Sequence, residues 1–196
     1  MRLTAENKEK IRSRILTGAA DLFRKEGVEA VNIDKIMQTA GLTRGAFYAH
    51  FKSKGALFAE VLRREHPVRQ MLADRDGQDA ETLWQQALAI FHDYLTPEHL
   101  AQIRVGCSFA ALTGDAGRSP EAVRTGYGTA WQEVLDEMAR GQGAVDRRAL
   151  QSALVLATGG VATASAMWAA EQQAELLHDV RATFDSIMAT ARLPAG

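Results

Sequence analysis

The amino-acid sequence predicts an all-α protein built from about nine helices. Apolar residues recur at spacings of three and four along most of the chain, which is the period of an amphipathic helix. Glycine, proline, and Asx or Ser/Thr residues separate these stretches where helices end and begin. The sequence lacks the alternating pattern of a β-strand, so 196 residues are expected to form one or two compact helical domains.

The first predicted helix covers residues 5–26, and Gly27 follows it at a position that favours a left-handed residue. Its apolar stripe consists of Ile11, Ile15, Ala19, Leu22 and Phe23. Because the stripe faces one way, we expect this helix to brace the two short helices that follow it.

A short helix, a glycine turn and a second short helix follow in IDKIMQTAGLTRGAFYAHFKSKGALF at residues 33–58. Asn32 is a residue type whose side chain caps a helix, and Gly41 stands where that helix should end. Thr43 can cap the next helix, so the turn between them is very short. This arrangement is typical of a helix-turn-helix that reads duplex DNA.

The second short helix has the chemistry of a DNA-contacting surface. Gly45 has no side chain and lets a DNA strand approach the backbone, while Arg44 can reach a phosphate or the paired acceptors of guanine. Tyr48 lies one turn after Arg44, and Phe47 and Phe51 share that spacing as expected core anchors. The two faces are only about 60° apart on a helix, so facing alone does not decide which residues touch DNA.

The stretch from Ile11 to Leu62 resembles the DNA-binding domain of the tetracycline-repressor (TetR) family of one-component bacterial regulators. The similarity is carried by AADLFRKEG at 19–27, TAGLTRGAFYAHFKSK at 39–54 and GALF at 55–58, which agree in order and spacing. It implies a three-helix DNA-binding domain followed by a helical domain that binds a small ligand and dimerises.

The resemblance also implies roles for single residues. Three side chains would contact phosphates, namely Thr43, Tyr48 and Lys54. Three residues would lie at or near base edges, namely Arg44, Gly45 and His50. We add the capping residue Asn32 to this DNA-binding set, and we expect one minor phosphate contact to be missing because Val31 replaces the family's usual threonine.

The charge distribution fits an N-terminal part that binds DNA. The net charge is −1, but residues 1–64 hold 13 Lys/Arg against 7 Asp/Glu, whereas residues 65–196 hold 10 against 17. Basic residues around the motif favour phosphate binding, and the acidic remainder should avoid DNA. Without the motif, the same lysines and arginines would be explained equally well as solvated surface.

A fourth helix is expected to open at Ser53 and to run towards Pro67, where proline kinks or ends a helix. We therefore expect a DNA-binding domain at residues 1–52 and a helical ligand-binding and dimerisation domain at residues 53–196. After a polar break at 74–79, further helices are predicted from Leu83 to Leu95, from Pro97, from Pro120, over 147–170 after the cap Asp146, and over 171–192.

The last two helices carry small apolar side chains on nearly every face, as in ALVLATGGVATASAM. Such helices either pair with those of a second copy in a four-helix bundle or form an ordinary buried core. We favour a homodimer through these helices, partly because the family resemblance implies it. One short recognition helix also gives too little specificity, whereas two can read half-sites about one helical turn apart.

Large apolar side chains in the C-terminal part suggest a pocket for an apolar or aromatic small-molecule effector. The expected lining residues are Trp84, Phe91, Phe109, Tyr127, Trp131, Met138, Met167 and Trp168. Core packing is the simpler explanation for each residue alone, so only their number favours the pocket.

Cys107, the only cysteine, cannot form an intrachain disulfide and is a candidate ligand-site residue in the run RVGCSFAAL. Arg104, one turn earlier, would favour the thiolate if it faces the sulfur rather than solvent. The Gly-Cys pair resembles a TetR subgroup that includes a repressor of N-ethylmaleimide reductase, in which a cysteine senses electrophiles. The alternative, which we prefer, is a buried cysteine acting as a small hydrophobe.

Several classes of function find no support in the sequence. The five histidines show no HxxxH or HxH spacing, so no metal and no cofactor are expected. A phosphate-binding glycine loop and a nucleophile elbow are also missing, so we expect no enzyme. The apolar runs are shorter than a membrane span and MRLTAENKEK lacks the apolar part of a secretory signal, so a cytoplasmic location is expected without membrane contact.

The combined prediction is a TetR-like transcription factor, a repressor that binds a pseudo-palindromic operator as a dimer. A small apolar, aromatic or electrophilic ligand would release it from double-stranded DNA. The alternative is a ligand-binding or adaptor protein of the same fold that acts through protein contacts. The intact Gly45, Tyr48 and Lys54 favour the first prediction.

Overall fold

The structure, a computed structural model, describes residues 5–64, 66–101 and 108–192. These residues form helices and no strand, which confirms the all-α prediction. The helices are α1 (Ala5–Glu26), α2 (Ile33–Thr39), α3 (Arg44–Phe47), α4 (Lys54–Arg64), α5 (Pro67–Ala73), α6 (Ala80–Tyr94), α7 (Pro97–Ala101), α8 (Ser108–Gly117), α9 (Glu121–Ala139), α10 (Arg147–Ser165) and α11 (Ala170–Ala191).

Two more helical segments are described than the sequence predicts. Pro67 begins α5 as a helix separate from α4, and the helix predicted from Pro97 is described as α7 and α8 on either side of residues 102–107. Within the described ranges, no helix is both long and apolar enough to cross a membrane.

Packing divides the chain into two compact units. The first unit extends to His66 and includes Ala111–Ala130, and the second contains Pro67–Ala110 and the chain from Trp131 onwards. This grouping differs from the boundary expected at residue 52, because the apolar side of α4 is buried in the core of the first unit. The buried residues of α4 are Leu57, Phe58, Val61 and Leu62.

The core of the first unit forms around α1. Three residues of the predicted stripe are completely buried, namely Ile15, Ala19 and Phe23. The Phe23 ring meets the Phe58 ring edge-on, with centroids 5.4 Å apart, so α1 braces α4 as well as the two short helices. The parts of α8 and α9 that belong to this unit add Leu112 and Val123 to the same core.

The helix ends follow the predicted capping residues. The Asn32 and Asp146 side chains accept main-chain N–H groups in the first turns of α2 and α10. Gly27 and Gly41 have φ angles of 79° and 65°, in the left-handed region that glycine adopts without steric cost.

The second unit contains the long pair α10 and α11. At Gly160, an added Cβ would lie 2.8 Å from a methyl carbon of Val180, so the small residue allows the two helices to approach closely. The Phe91 and Phe184 rings lie 5.0 Å apart and join α6 to α11. Part of the small-residue pattern in α10 is therefore explained by packing inside one chain.

Two arginines tie the helix ends of the second unit together. Arg75, which is 7% exposed, donates to the carbonyls of Leu72, Leu83 and Glu137. Arg140 donates to the Leu72 carbonyl as well and pairs with the Glu137 carboxylate at 3.0 Å. Burial, and next the neighbouring Arg140, lower the pKa of Arg75, whereas Glu137 raises it. These bonds satisfy carbonyls at the C-terminal ends of α5 and α9.

Candidate nucleic-acid interface

A tight turn joins α2 to α3. The Gly41 N–H donates to the Gln38 carbonyl at 2.9 Å, and the Leu42 N–H donates to the Met37 carbonyl at 2.8 Å. This pair of hydrogen bonds closes a helix end only when the intervening residue is left-handed, which explains the glycine. The turn therefore fixes how α3 leaves α2.

Phe47 and Phe51 anchor α3 and its exit in the core, as predicted. Phe47 is completely buried and Phe51 is 4% exposed. Their ring centroids lie 5.8 Å apart. Since these rings face inward, the remaining residues around α3 are left at the solvent-exposed surface.

Four exposed residues form what we term the α3 surface: Thr43, Arg44, Gly45 and Tyr48. Thr43 occupies the N-cap position, but its side chain makes no capping hydrogen bond, contrary to the capping prediction. The Tyr48 side chain is 58% exposed and its ring packs edge-on against Phe47, with centroids 5.3 Å apart. Hydroxyl groups and a guanidinium thus share one surface.

The fold itself does not require a glycine at position 45. A Cβ added to Gly45 would meet no heavy atom within 4 Å, and its φ angle lies outside the left-handed region. The space in front of this residue is open solvent, so a glycine here suits the close approach of another molecule better than it suits packing.

The Arg44 side chain is paired across the turn. Its Nη1 lies 2.5 Å from Oδ2 of Asp34, and the two side chains are 60% and 56% exposed. The Asp34 carboxylate is the main cause that raises the pKa of Arg44, and Tyr48 adds to it. Arg44 is therefore a charged, accessible group that already has one carboxylate partner.

Lys54 turns inward rather than outward. Its ammonium donates to the carbonyls of Val28 at 2.8 Å, Val31 at 3.0 Å and Glu29 at 3.5 Å. These carbonyls belong to the segment between α1 and α2, so Lys54 fastens that segment to the start of α4. The phosphate contact implied by the resemblance stays a prediction, and it would draw the ammonium away from these acceptors.

His50 is half-buried behind the α3 surface. Its Nδ1 is buried without a hydrogen-bond partner, and its carbonyl accepts from Arg12 Nη1 at 2.5 Å. Burial lowers the pKa of His50, followed by the positive charges of Lys8 and Arg12, while Glu9 opposes them. The neutral imidazole is favoured in the folded chain.

An ion-pair network braces this region from α1. The Arg12 guanidinium donates through Nε and Nη2 to both oxygens of the Glu60 carboxylate and lies 4.3 Å from the centre of the Phe51 ring. Arg64 pairs with Glu60 at 3.2 Å and with Glu9 at 3.0 Å. Arg12 thus joins α1, α4 and the residues that follow α3.

Sequence reasoning missed Asp34, Arg12 and the inward direction of Lys54. The partners of Arg12 and Lys54 lie 23 to 48 residues away in the sequence, beyond the reach of any local pattern. A signal for Asp34 existed, because a carboxylate in the first turn of α2 lies close to Arg44 once the turn is known to be short.

The predicted ligand-site residues that the structure describes differ in burial and do not share one site. Four are buried in the second unit, namely Trp84, Phe91, Phe109 and Met138, and two are half-buried, namely Trp131 and Met167. Phe109 and Trp131 lie together, with ring centroids 5.1 Å apart. Trp84 is covered instead by the Arg192 guanidinium, 5.7 Å from the ring centre.

Two other members of that set lie elsewhere. Tyr127 belongs to the first unit, where its ring packs on the core and its hydroxyl lies 2.8 Å from Thr113 Oγ1. Trp168 is 99% exposed on the segment between α10 and α11, so in the described single chain it lines no cavity. Residue type alone places Tyr127 and Trp168 in the predicted set, and residue type does not report burial. Cys107 and its neighbour Arg104 lie outside the described residues.

Among the described residues of the second unit, a histidine and a carboxylate pair across two helices. His92 Nε2 lies 2.6 Å from Asp185 Oδ1 and joins α6 to α11. In the part of the chain that the structure describes, no group of three or more His, Cys, Asp or Glu residues could hold a metal ion.

Comparison with known proteins finds similarity in the α1 to α4 region. Residues 15–61 match the model of the bacterial regulatory proteins of the tetR family. The chain is 41% identical over 68 residues to the transcriptional regulator SrpR of Pseudomonas putida, covering 34% of this chain and 32% of SrpR. It is 42% identical over 60 residues to AcrR of Shigella flexneri, covering 31% of this chain and 28% of AcrR.

These matches span about a third of the relatives' length. Solved structures resemble nearly the whole of this chain. The reduced form of Escherichia coli NemR superimposes with a TM-score of 0.72 at 19% identity, covering 94% of this chain and 100% of NemR. A SmeT–triclosan complex gives a TM-score of 0.65 at 21% identity, covering 95% of this chain and 93% of SmeT. At these identities the likeness shows a shared fold.

Proposed function

We propose that this chain, whose residues 15–61 match the model of the tetR-family regulatory proteins, is a TetR-like DNA-binding transcriptional repressor. The observation that carries the proposal is the α3 surface, where Arg44 and the hydroxyl groups of Thr43 and Tyr48 surround a glycine with open space before it. A DNA strand fits that space, Thr43 and Tyr48 suit phosphates, and Arg44 suits a guanine edge.

The repressor would act as a homodimer through α10 and α11 on a pseudo-palindromic operator. Val155 on α10 is 53% exposed, and Trp168 beyond its end is almost fully exposed. A second copy related by twofold symmetry would cover both side chains. Two copies of α3 would then read half-sites in successive major grooves.

A small-molecule effector would release the dimer from DNA. The aromatic side chains of the second unit favour an apolar or aromatic effector, in line with the triclosan bound to the structural neighbour SmeT. An electrophile acting on Cys107 is the finer version of this proposal. Under it, Cys107→Ser keeps DNA binding but loses release by quinones, and unchanged release in this variant would contradict it.

DNA binding is tested by selection from a pool of random duplexes, followed by titration of the selected duplex and a scrambled duplex at several salt concentrations. The expected result is tight binding of the selected duplex by two copies, with a logarithmic salt slope of about −0.9 for each phosphate contacted. Recovery of no preferred sequence would contradict the proposal and would favour the ligand-binding or adaptor protein that acts through protein contacts.

A further inference from the structure

A carboxylate lies on the surface proposed to meet DNA. Asp34 is in the first turn of α2, and its side chain is 56% exposed beside Arg44. A negative charge at this position repels phosphates, which weakens binding to any DNA sequence. The same carboxylate contacts Arg44, the proposed base-reading arginine, so it can also influence how that arginine binds DNA.

The side chains of Asp34 and Tyr48 both hydrogen-bond to Arg44, and further donors of the guanidinium remain. Asp34 Oδ2 contacts Arg44 Nη1 at 2.5 Å, and a guanidinium carries five N–H donors. The remaining donors still match the two acceptors of a guanine edge. The carboxylate holds a long, flexible side chain in one orientation, which lowers the entropy lost on binding.

The pair also changes which DNA groups attract the arginine. A free guanidinium is drawn to the charged phosphates of any sequence, whereas a guanidinium already paired with a carboxylate is drawn to them less. Recognition of a guanine edge depends on the geometry of two hydrogen bonds to neutral acceptors and keeps its strength. Pairing therefore favours the base over the backbone.

We propose that Asp34 is a positioning residue for DNA recognition, which holds Arg44 for a guanine edge and keeps it from phosphates. This inference rests on the proposed DNA-binding function. It makes Asp34, rather than Arg44 alone, responsible for part of the sequence specificity of α3.

The test compares the wild-type protein with Asp34→Asn on the selected and the scrambled duplex. In Asp34→Asn we expect tighter binding of the scrambled duplex and a specificity ratio about tenfold lower, within the discrimination of one bidentate contact. The salt slope on scrambled DNA should steepen by about one phosphate. A change of the folded structure alone would not steepen that slope.

Two controls distinguish the positioning of Arg44 from a general loss of negative charge near the DNA. Glu26→Gln removes a carboxylate of another ion pair in the same unit, the one with Lys35 at 2.5 Å, and should leave the specificity ratio unchanged. In an Arg44→Ala background, Asp34→Asn should have no further effect on the ratio, because its action passes through the arginine.

Three outcomes would overturn the inference while leaving the proposed function intact. They are an Asp34→Asn specificity ratio within twofold of wild type together with an unchanged salt slope on the scrambled duplex, an equal tightening on both duplexes, and an undiminished effect in the Arg44→Ala background. Failure of the wild-type protein to select any sequence would instead overturn the proposed function itself.

Discussion

The two sides of the first unit use the same kinds of charged residue for different purposes. On the α3 surface, Arg44 is exposed and has an exposed carboxylate partner. On the bracing side, Lys54 bonds to main-chain carbonyls and Arg12 bonds to the largely buried Glu60. Arg44 is thus accessible to a partner molecule, whereas Lys54 is already engaged in holding the fold together.

The largest expected effect comes from the bracing side. Arg12→Ala removes both hydrogen bonds from Arg12 to the Glu60 carboxylate, which then keeps only its ion pair with Arg64 among the described residues. It also removes the hydrogen bond to the His50 carbonyl. We expect the free energy of unfolding to fall by about 2–3 kcal/mol, as for partly buried ion pairs. Urea unfolding measures this loss, and the exposed Arg63→Ala is the matched control, expected to change it by less than about 0.5 kcal/mol.

Lys54 has two candidate roles, because the family resemblance implies a phosphate contact and the structure shows bonds to main-chain carbonyls. Lys54→Met removes hydrogen bonds from a charged donor to three carbonyls, and we expect a loss of about 1–2 kcal/mol in unfolding free energy. The salt slope of DNA binding should stay unchanged. If the slope instead drops by about one phosphate with little loss of stability, Lys54 contacts DNA as the resemblance implies.

A substitution at Gly45 tests whether DNA approaches the α3 surface. Gly45→Ala meets no atom of the folded chain, so unfolding free energy should stay the same or rise by up to about 1 kcal/mol. Affinity for the selected duplex should fall by about tenfold, because a methyl group enters the space left for the DNA strand. Equal affinity in the variant would mean that DNA does not approach here. Gly128→Ala, also open within 4 Å, is the control on α9.

The smallest expected effect concerns pH. The pKa of His50 is lowered by burial, so the unfolded chain binds a proton more readily than the folded chain. The stability due to the neutral imidazole is therefore complete above the ordinary pKa of about 6.5 and is lost as the pH falls below it. His50→Gln should flatten the acidic limb of a plot of melting temperature against pH, whereas the exposed His178→Gln should not.

Local spacing predicts the elements of the recognition region well. Asn32, Gly41, Phe47 and Phe51 each owe their position to neighbours within one or two helical turns, and the structure confirms the cap, the turn and the anchors. The inward direction of Lys54 is set by a segment more than twenty residues earlier, which no local pattern reports.

In the second unit, residue type alone was a weaker guide. Trp84 and Trp168 look equivalent in the sequence, yet one is 3% exposed and the other 99%. Burial there depends on how several helices meet, so an aromatic residue fills the core, covers a neighbour or faces water according to contacts made far along the chain.

The exposure of Trp168 gives the protein an optical signal of its own. An indole in water emits at longer wavelength than a buried one and is open to quenching by iodide, whereas Trp84 is shielded from it. Selective quenching of Trp168 at low protein concentration, with protection as the concentration rises, would report the coming together of two copies without any attached dye. Fluorescence from the segment between α10 and α11 would then test whether two copies assemble.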